Sequence, residues 1–231
     1  MAMEKNFIND NKKKLMIEDY FRDELKRAGY GGMEMKKTSM GMNITVYAQK
    51  PGMVIGRGGS NIKKITRKLK ENFNLENPQI DVNEVEEPYL NPNVVANDLA
   101  RSLEKGFYFR KVGYRAQRRV MEAGARGVEV KFSGKLRGGR SQTVRFRDGY
   151  LKKCGQVAID DVEFGEDVAR MKPGTVGVQV RIMPAGVELP DELEIKEPVE
   201  EEEETEEEMI EEIEEELESE EEDESSEKEG E

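Results

Sequence analysis

Val54-Ile55-Gly56-Arg57-Gly58-Gly59-Ser60-Asn61-Ile62-Lys63-Lys64-Ile65 governs the reading of the whole chain. Two branched apolar residues lead into a loop bounded by glycine, with Arg57 inside it. Ser60 or Asn61 is placed to cap a helix, and Ile62, Ile65, Leu69 and Phe73 then recur every three or four positions. Lys63, Lys64, Arg67, Lys68 and Lys70 fill most of that helix's remaining surface. A glycine turn feeding a helix start offers free N–H groups and the positive end of the dipole to an anion. Glycine at both ends lets the backbone approach a phosphate without a Cβ in the way. Upstream, Met42–Ala48 alternates like a strand, and Pro51–Ile55 fits a short helical turn. Downstream, Gln79–Val85 alternates again. The expected order is strand, helical turn, G-x-x-G, helix, strand.

G-x-x-G alone is weak, because many strand-to-helix turns need glycine for their own geometry. The flanking strands, the apolar lead-in and the basic helix make it specific. No G-x-x-x-x-G-K-[ST] phosphate loop occurs, and this stretch holds no G-x-G-x-x-G. The order of elements resembles the minimal KH unit, whose loop clamps about four backbone nucleotides. Gly56, Arg57, Gly58, Gly59, Lys63 and Lys64 are therefore candidate RNA contacts. Before this unit, Lys12–Ala28 reads as a helix with a partial stripe of Leu15, Met16, Tyr20, Leu25 and Ala28. Residues 1–11 are polar and read as frayed. Gly29-Tyr30-Gly31-Gly32 stops the helix, and Met33–Thr38 alternates as a strand. That extra α-β element on the N-terminal side places the unit in the type II KH arrangement.

The chain has 231 residues and a formal net charge of −13, but the charge is divided. Residues 188–231 hold 27 acidic and 2 basic residues, which leaves residues 1–187 with 35 basic and 23 acidic. Within the latter, residues 101–153 carry 16 basic and 4 acidic residues. All the excess positive charge of the foldable part lies there, and such a concentration suggests a polyanion partner. The acidic tail cannot bury enough apolar surface to offset chain entropy, so disorder is expected over 188–231. Met209, Ile213 and Leu217 recur every four residues, so a partner could induce a short helix there. The tail could also cover the basic surface as a phosphate mimic before RNA arrives, or serve only solubility.

There is no histidine, which removes imidazole bases, Ser-His and Cys-His pairs and nearly all zinc chemistry. The single cysteine, Cys154, cannot form an internal disulfide and reads as a small buried hydrophobe in a reducing compartment. No run approaches the roughly 20 apolar residues of a membrane span. The N-terminus lacks an apolar core of signal-peptide length. The protein is expected in the cytoplasm, with no membrane association, metal or cofactor.

Asn91-Pro92 opens another helix through Val94, Leu99 and Leu103 to Gly106, read as a connection over 92–106 between an N-terminal domain at 1–91 and a C-terminal domain at 107–187. Phe109, Val112, Ala116, Val120 and Ala123 then form one helical stripe. Lys111, Arg115, Arg118 and Arg119 lie on the neighbouring face, and Arg110 sits apart. Such a face can be merely solvated. In this company it reads as a phosphate-tracking helix. Val128, Val130 and Phe132, then Val144 and Phe146, alternate as the arms of a hairpin. Its tip carries Lys135, Arg137 and Arg140, and its outer face Arg145 and Arg147. Cations crowding a tip repel one another and make poor structural sense alone, so RNA contact is the favoured reading. Two further strands are expected near Gln156–Phe164 and Thr175–Met183. The fold class is α+β, a type II KH domain followed by a C-terminal α/β domain with an antiparallel sheet.

Taken together, the chain resembles the small-subunit ribosomal protein S-three family, in its archaeal style, over roughly residues 7–187. The resemblance rests on Pro51–Gly59, Phe109-Arg110-Lys111, Gly127–Leu136 and Gly174–Val180. It implies a place in the head of the small subunit by the messenger-entry channel. The implied partners are small-subunit ribosomal RNA, messenger RNA and neighbouring head proteins. In bacterial relatives two or three cations after the family's Phe help unwind messenger. Arg110 and Lys111 match two of them, and the third falls at Tyr114, with Arg115 next. The interior of the G-x-x-G has one cation, Arg57, rather than two.

The expected function is that of a structural RNA-binding protein and not an enzyme. A lysine lyase or nuclease is the alternative from another class. It needs an amine with a depressed pKa, and Lys63-Lys64 and Lys152-Lys153 offer cationic neighbours without singling out a pocket. A free-standing KH regulator would usually carry tandem G-x-x-G units, and only one is found here.

Overall fold

The computed structural model describes residues 2–38, 41–73, 75, 77–187 and 189. Two hydrophobic cores lie within one unit that ends at Val187. The acidic segment 188–231, expected to be disordered, falls outside the described residues apart from Leu189.

The first core is built around strand β2 (Gly41–Ala48). Ile44, Val46 and Ala48 are fully buried, the inward half of an alternating strand. Strand β1 (Tyr30–Thr38) pairs antiparallel with β2, and β3 (Gln79–Glu84) pairs parallel with its other edge, in the order β1-β2-β3. Helix α1 (Ala2–Glu24) packs Ile17 and Phe21 into this core, and Leu25 follows just past its end. Helix α2 (Pro51–Ile55) adds Val54, and α3 (Ser60–Phe73) adds Ile65 and Leu69. This is the expected type II KH order, with the helical turn at Pro51–Ile55 where the sequence placed it.

Helix α1 differs from its expected bounds at both ends. It begins at Ala2 instead of Lys12 and stops at Glu24 instead of Ala28. No Gly or Pro interrupts residues 2–28, so nothing local frays the N-terminal part. The buried residues follow a spacing of four, Ile17, Phe21 and Leu25, whereas Leu15 and Met16 are exposed. Ala28 N–H turns back to the Leu25 carbonyl at 2.9 Å, and Gly29 takes φ +73°, ending the helix.

The second core lies between two helices and a four-stranded antiparallel sheet of order β5-β4-β7-β6. Its elements are α4 (Pro92–Glu104), α5 (Phe109–Glu122), β4 (Gly127–Gly134), β5 (Gln142–Gly149), β6 (Glu163–Met171) and β7 (Gly174–Met183), with a helical turn α6 (Val157–Asp160) before β6. Val128, Val130, Phe132, Phe146, Val178 and Val180 point inward. Val95, Leu99, Val112, Ala116 and Val120 answer from the helices. Gly113 is a close approach: a Cβ there would come within 2.6 Å of the Phe146 ring.

The strand expected at Gln156–Phe164 is instead α6 followed by β6, which runs on to Met171. Gln156 donates to the Asp160 carboxylate at 2.6 Å across the helical turn. In β6 the hydrophobic pattern is inverted. Gly165 and Ala169 face the core, while Phe164 and Val168 are exposed. Helix α4 leaves no room for anything larger, since a Cβ on Gly165 would come within 2.4 Å of the Pro92 backbone.

Residues 92–106, expected as a connection, contribute α4, whose apolar face belongs to the second core. Its polar side grips the first. Asn91 caps α4, its Oδ1 accepting from the Asn93 and Val94 amides at 3.1 and 3.3 Å. Asn91 and Asn93 both donate through Nδ2 to the Gly31 carbonyl, at 3.1 and 3.2 Å. Arg101 donates to the Lys26 carbonyl, and Lys26 pairs with Asp167 at 3.5 Å.

Candidate nucleic-acid interface

The glycine loop forms as a short 3-10 turn, Arg57–Gly59, running directly into α3. Gly56, Gly58 and Gly59 have φ of +70°, +57° and +73°, in the left-handed region that favours glycine. At Gly58 and Gly59 an added Cβ would meet nothing within 4 Å, so the loop backbone faces open space. Gly56 is held from below, with the Asn61 amide 2.7 Å from where a Cβ would stand. Asn61 donates to the Met53 carbonyl at 3.2 Å, tying α3 back to α2. Arg57, Lys63 and Lys64 are exposed. Lys68, further along α3, is bound to Glu24 at 3.2 Å and lies over the Tyr20 ring.

Helix α5 exposes Arg110, Lys111, Arg115, Arg118 and Arg119. None of them forms an ion pair with a described residue. Their surroundings differ. Lys111, Arg115 and Arg119, one turn apart, line a groove shared with α4. The Arg110 guanidinium lies 5.9 Å from the Phe109 ring. At the other end of the hairpin arms, Arg137 Nη2 donates to the Tyr108 hydroxyl at 2.9 Å. That bond brings the tip to the start of α5. Lys135 and Arg140 are exposed beside it.

Arg145 and Arg147 are not brought to α5. Phe146 between them points inward under the helix, so by the alternation of β5 both cations stand on the opposite face of the sheet. There they join Lys131, Lys153 and Arg181 around a depression of about 340 Å³. Glu129 also faces this depression, and it is only 5 % exposed. Arg147 Nε and Lys153 Nζ each reach its carboxylate at 2.9 Å. Burial pushes the Glu129 carboxyl up, but hydrogen bonds from Lys153 and Arg147 outweigh it and hold it below the usual range. Arg147 is therefore committed in part to the protein's own carboxylate. Cys154, expected buried, is exposed.

The cations thus form separate groups: the glycine loop with α3, the α4–α5 groove, the hairpin tip at the start of α5, and the outer sheet face. Sequence reading missed Lys50, Tyr89, Arg101, Lys105 and Phe107, which complete the groove. It also missed Lys131, Lys153 and Arg181 on the outer face. Lys131 was open to inference from the hairpin register, being paired with Arg145. The others depend on contacts distant in sequence. Among the described residues no group of three or more His, Cys, Asp or Glu could hold a metal ion, and no helix is long and apolar enough to cross a membrane.

A KH unit feeding a helix-on-sheet domain with a free cationic helix defines a class of RNA-binding protein, and two families match the chain. Residues 16–90 match the family described as KH domain, and residues 99–182 match ribosomal protein S3, C-terminal domain. The small ribosomal subunit protein uS3 of Methanosphaera stadtmanae is 50 % identical over 196 residues, covering 85 % of this chain and 78 % of the relative. That of Methanothermobacter thermautotrophicus is 51 % identical over 190 residues, covering 82 % and 74 %. That of Haloarcula marismortui is 52 % identical over 200 residues, covering 87 % and 66 %. The chain belongs to the small ribosomal subunit protein uS3 family, in its archaeal form. It is a ribosomal protein and not an enzyme.

Proposed function

We propose that the chain is a structural constituent of the small ribosomal subunit in the cytoplasm, holding ribosomal RNA in the subunit head and bordering the messenger-entry channel. One observation carries this reading: the five cations of α5 are exposed and form no ion pair with a described residue. Free cations release counterions from a phosphate backbone and position it without reading sequence. The hairpin tip extends the same surface through the Arg137–Tyr108 bond. Arg110 and Lys111, at the start of α5, belong to this RNA-binding surface. The G-x-x-G loop adds an open backbone for a further stretch of RNA. Neighbouring head proteins complete the setting.

Replacing Arg137, Arg140 and Arg145 together by Glu tests the hairpin directly. The expected outcome is loss of incorporation into the small subunit, read by sedimentation of assembled particles. Normal incorporation would remove the hairpin from the interface. Co-migration of the wild-type protein with small subunits through high-salt gradients separates this reading from a free-standing RNA regulator.

A further inference from the structure

The groove between α4 and α5 has a composition that a phosphate-tracking surface alone does not require. Its volume is about 270 Å³. Its floor is apolar, formed by Val95, Leu99, Val112 and Ala116, all buried. Two partly exposed aromatic side chains line it, Tyr89 at 36 % and Phe107 at 51 % exposure. The Arg119 guanidinium lies 5.5 Å from the centroid of the Tyr89 ring, a cation–π contact at the groove's edge. Cations surround the opening: Lys50 from the first half, Lys105 from just past α4, and Lys111 and Arg115 from α5. One carboxylate, Asp98, sits among them, with no ion pair to a described residue.

We propose that this groove takes a single unpaired nucleotide of RNA, its base against Tyr89 and Phe107 and its flanking phosphates on the surrounding cations. The inference rests on the RNA-binding reading above and specifies its mode. The groove falls just below the roughly 300–1,000 Å³ of typical ligand clefts, which admits one ring system and excludes a duplex. An apolar floor with aromatic edges suits a base face and is useless to a phosphate. Unstacked bases in loops and bulges are the parts of RNA that aromatic side chains and arginine planes hold. Asp98 supplies an acceptor for an amino or imino N–H on the edge of the base. An acidic peptide would satisfy the cations but leave the aromatic side chains and the apolar floor unused.

The full chain is titrated with two RNA hairpins that differ only in one bulged 2-aminopurine, by anisotropy and by the fluorescence of that base. The bulged hairpin is expected to bind about tenfold tighter, in the range one stacked base contributes. Its fluorescence should fall on binding. Tyr89→Ala and Phe107→Ala should remove both the preference and the quenching while leaving affinity for the fully paired hairpin unchanged. Tyr89→Phe should keep both. Equal affinity of the wild-type protein for the two hairpins, or quenching that survives in Tyr89→Ala, would overturn the proposal and leave the groove to a protein partner. Failure to bind either hairpin would overturn the RNA-binding reading as well.

Discussion

Helices α3 and α5 carry similar positive charge and use it differently. On α3, Lys68 is spent on Glu24 and Tyr20 of α1, and the hydrogen bond from Lys68 to Glu24 raises the lysine's pKa. Lys63, Lys64, Arg67 and Lys70 stay exposed and without ion pairs to described residues, so Lys68 alone makes the difference. On α5 all five cations are exposed and without ion pairs to described residues. The helices do not differ in amphipathic design, since both bury one apolar stripe. They differ in their neighbours. Helix α3 lies beside α1, whose sequence holds Glu18, Asp19, Asp23 and Glu24, whereas α5 lies over a sheet whose buried acid, Glu129, serves the far face. Density of charge on a helix therefore says little about function until the acids packed beside it are known.

The comparison can be broken most severely at the α1–α3 pair. Phe21→Ala empties the buried contact that seats α1 in the first core. We expect a loss of about 3–5 kcal/mol, measured by denaturant unfolding. A loss near zero would mean that α1 does not organise that half. Glu129→Gln tests the other side of the contrast. The folded-state pKa of Glu129 lies below its unfolded value, so its contribution is full above the ordinary carboxylate range. That contribution is lost as pH falls through the folded value. The substitution should cost about 1–3 kcal/mol at neutral pH and flatten the acid limb of the stability profile, leaving RNA binding by α5 unchanged. Weakened binding in that variant would place the outer sheet face in the same interface as α5. Smallest is Glu24→Gln, which frees Lys68: RNA affinity should rise about twofold at low salt, with the gain erased at high salt.

Much of this was legible in the residues themselves. The glycine loop, the turn at Pro51–Ile55 and the helix opening at Asn91-Pro92 follow from local chemistry, because Gly, Pro and Asn constrain the backbone directly, and the hairpin arms follow from alternation. Strand β6 was misplaced because its core-facing positions are Gly165 and Ala169, so its hydrophobic pattern advertises the wrong face. The separation of Arg145 and Arg147 from α5 follows from strand alternation, yet it needed the knowledge that α5 covers the Phe146 side. The α4–α5 groove was invisible for a stronger reason. Lys50, Tyr89 and Arg119 belong to different elements, and only the packing of α4 against both halves brings them together.

The most direct test is the salt dependence of binding to head ribosomal RNA, compared between two triple variants of the full chain. If α5 carries the phosphate contacts, replacing Lys111, Arg115 and Arg118 by Ala lowers the slope of log affinity against log salt by about three. Replacing Arg57, Lys63 and Lys64 by Ala should lower it by about one or less, because the glycine loop meets RNA through its open backbone. Equal reductions in the two variants, or an unchanged slope in the α5 variant, would contradict the account.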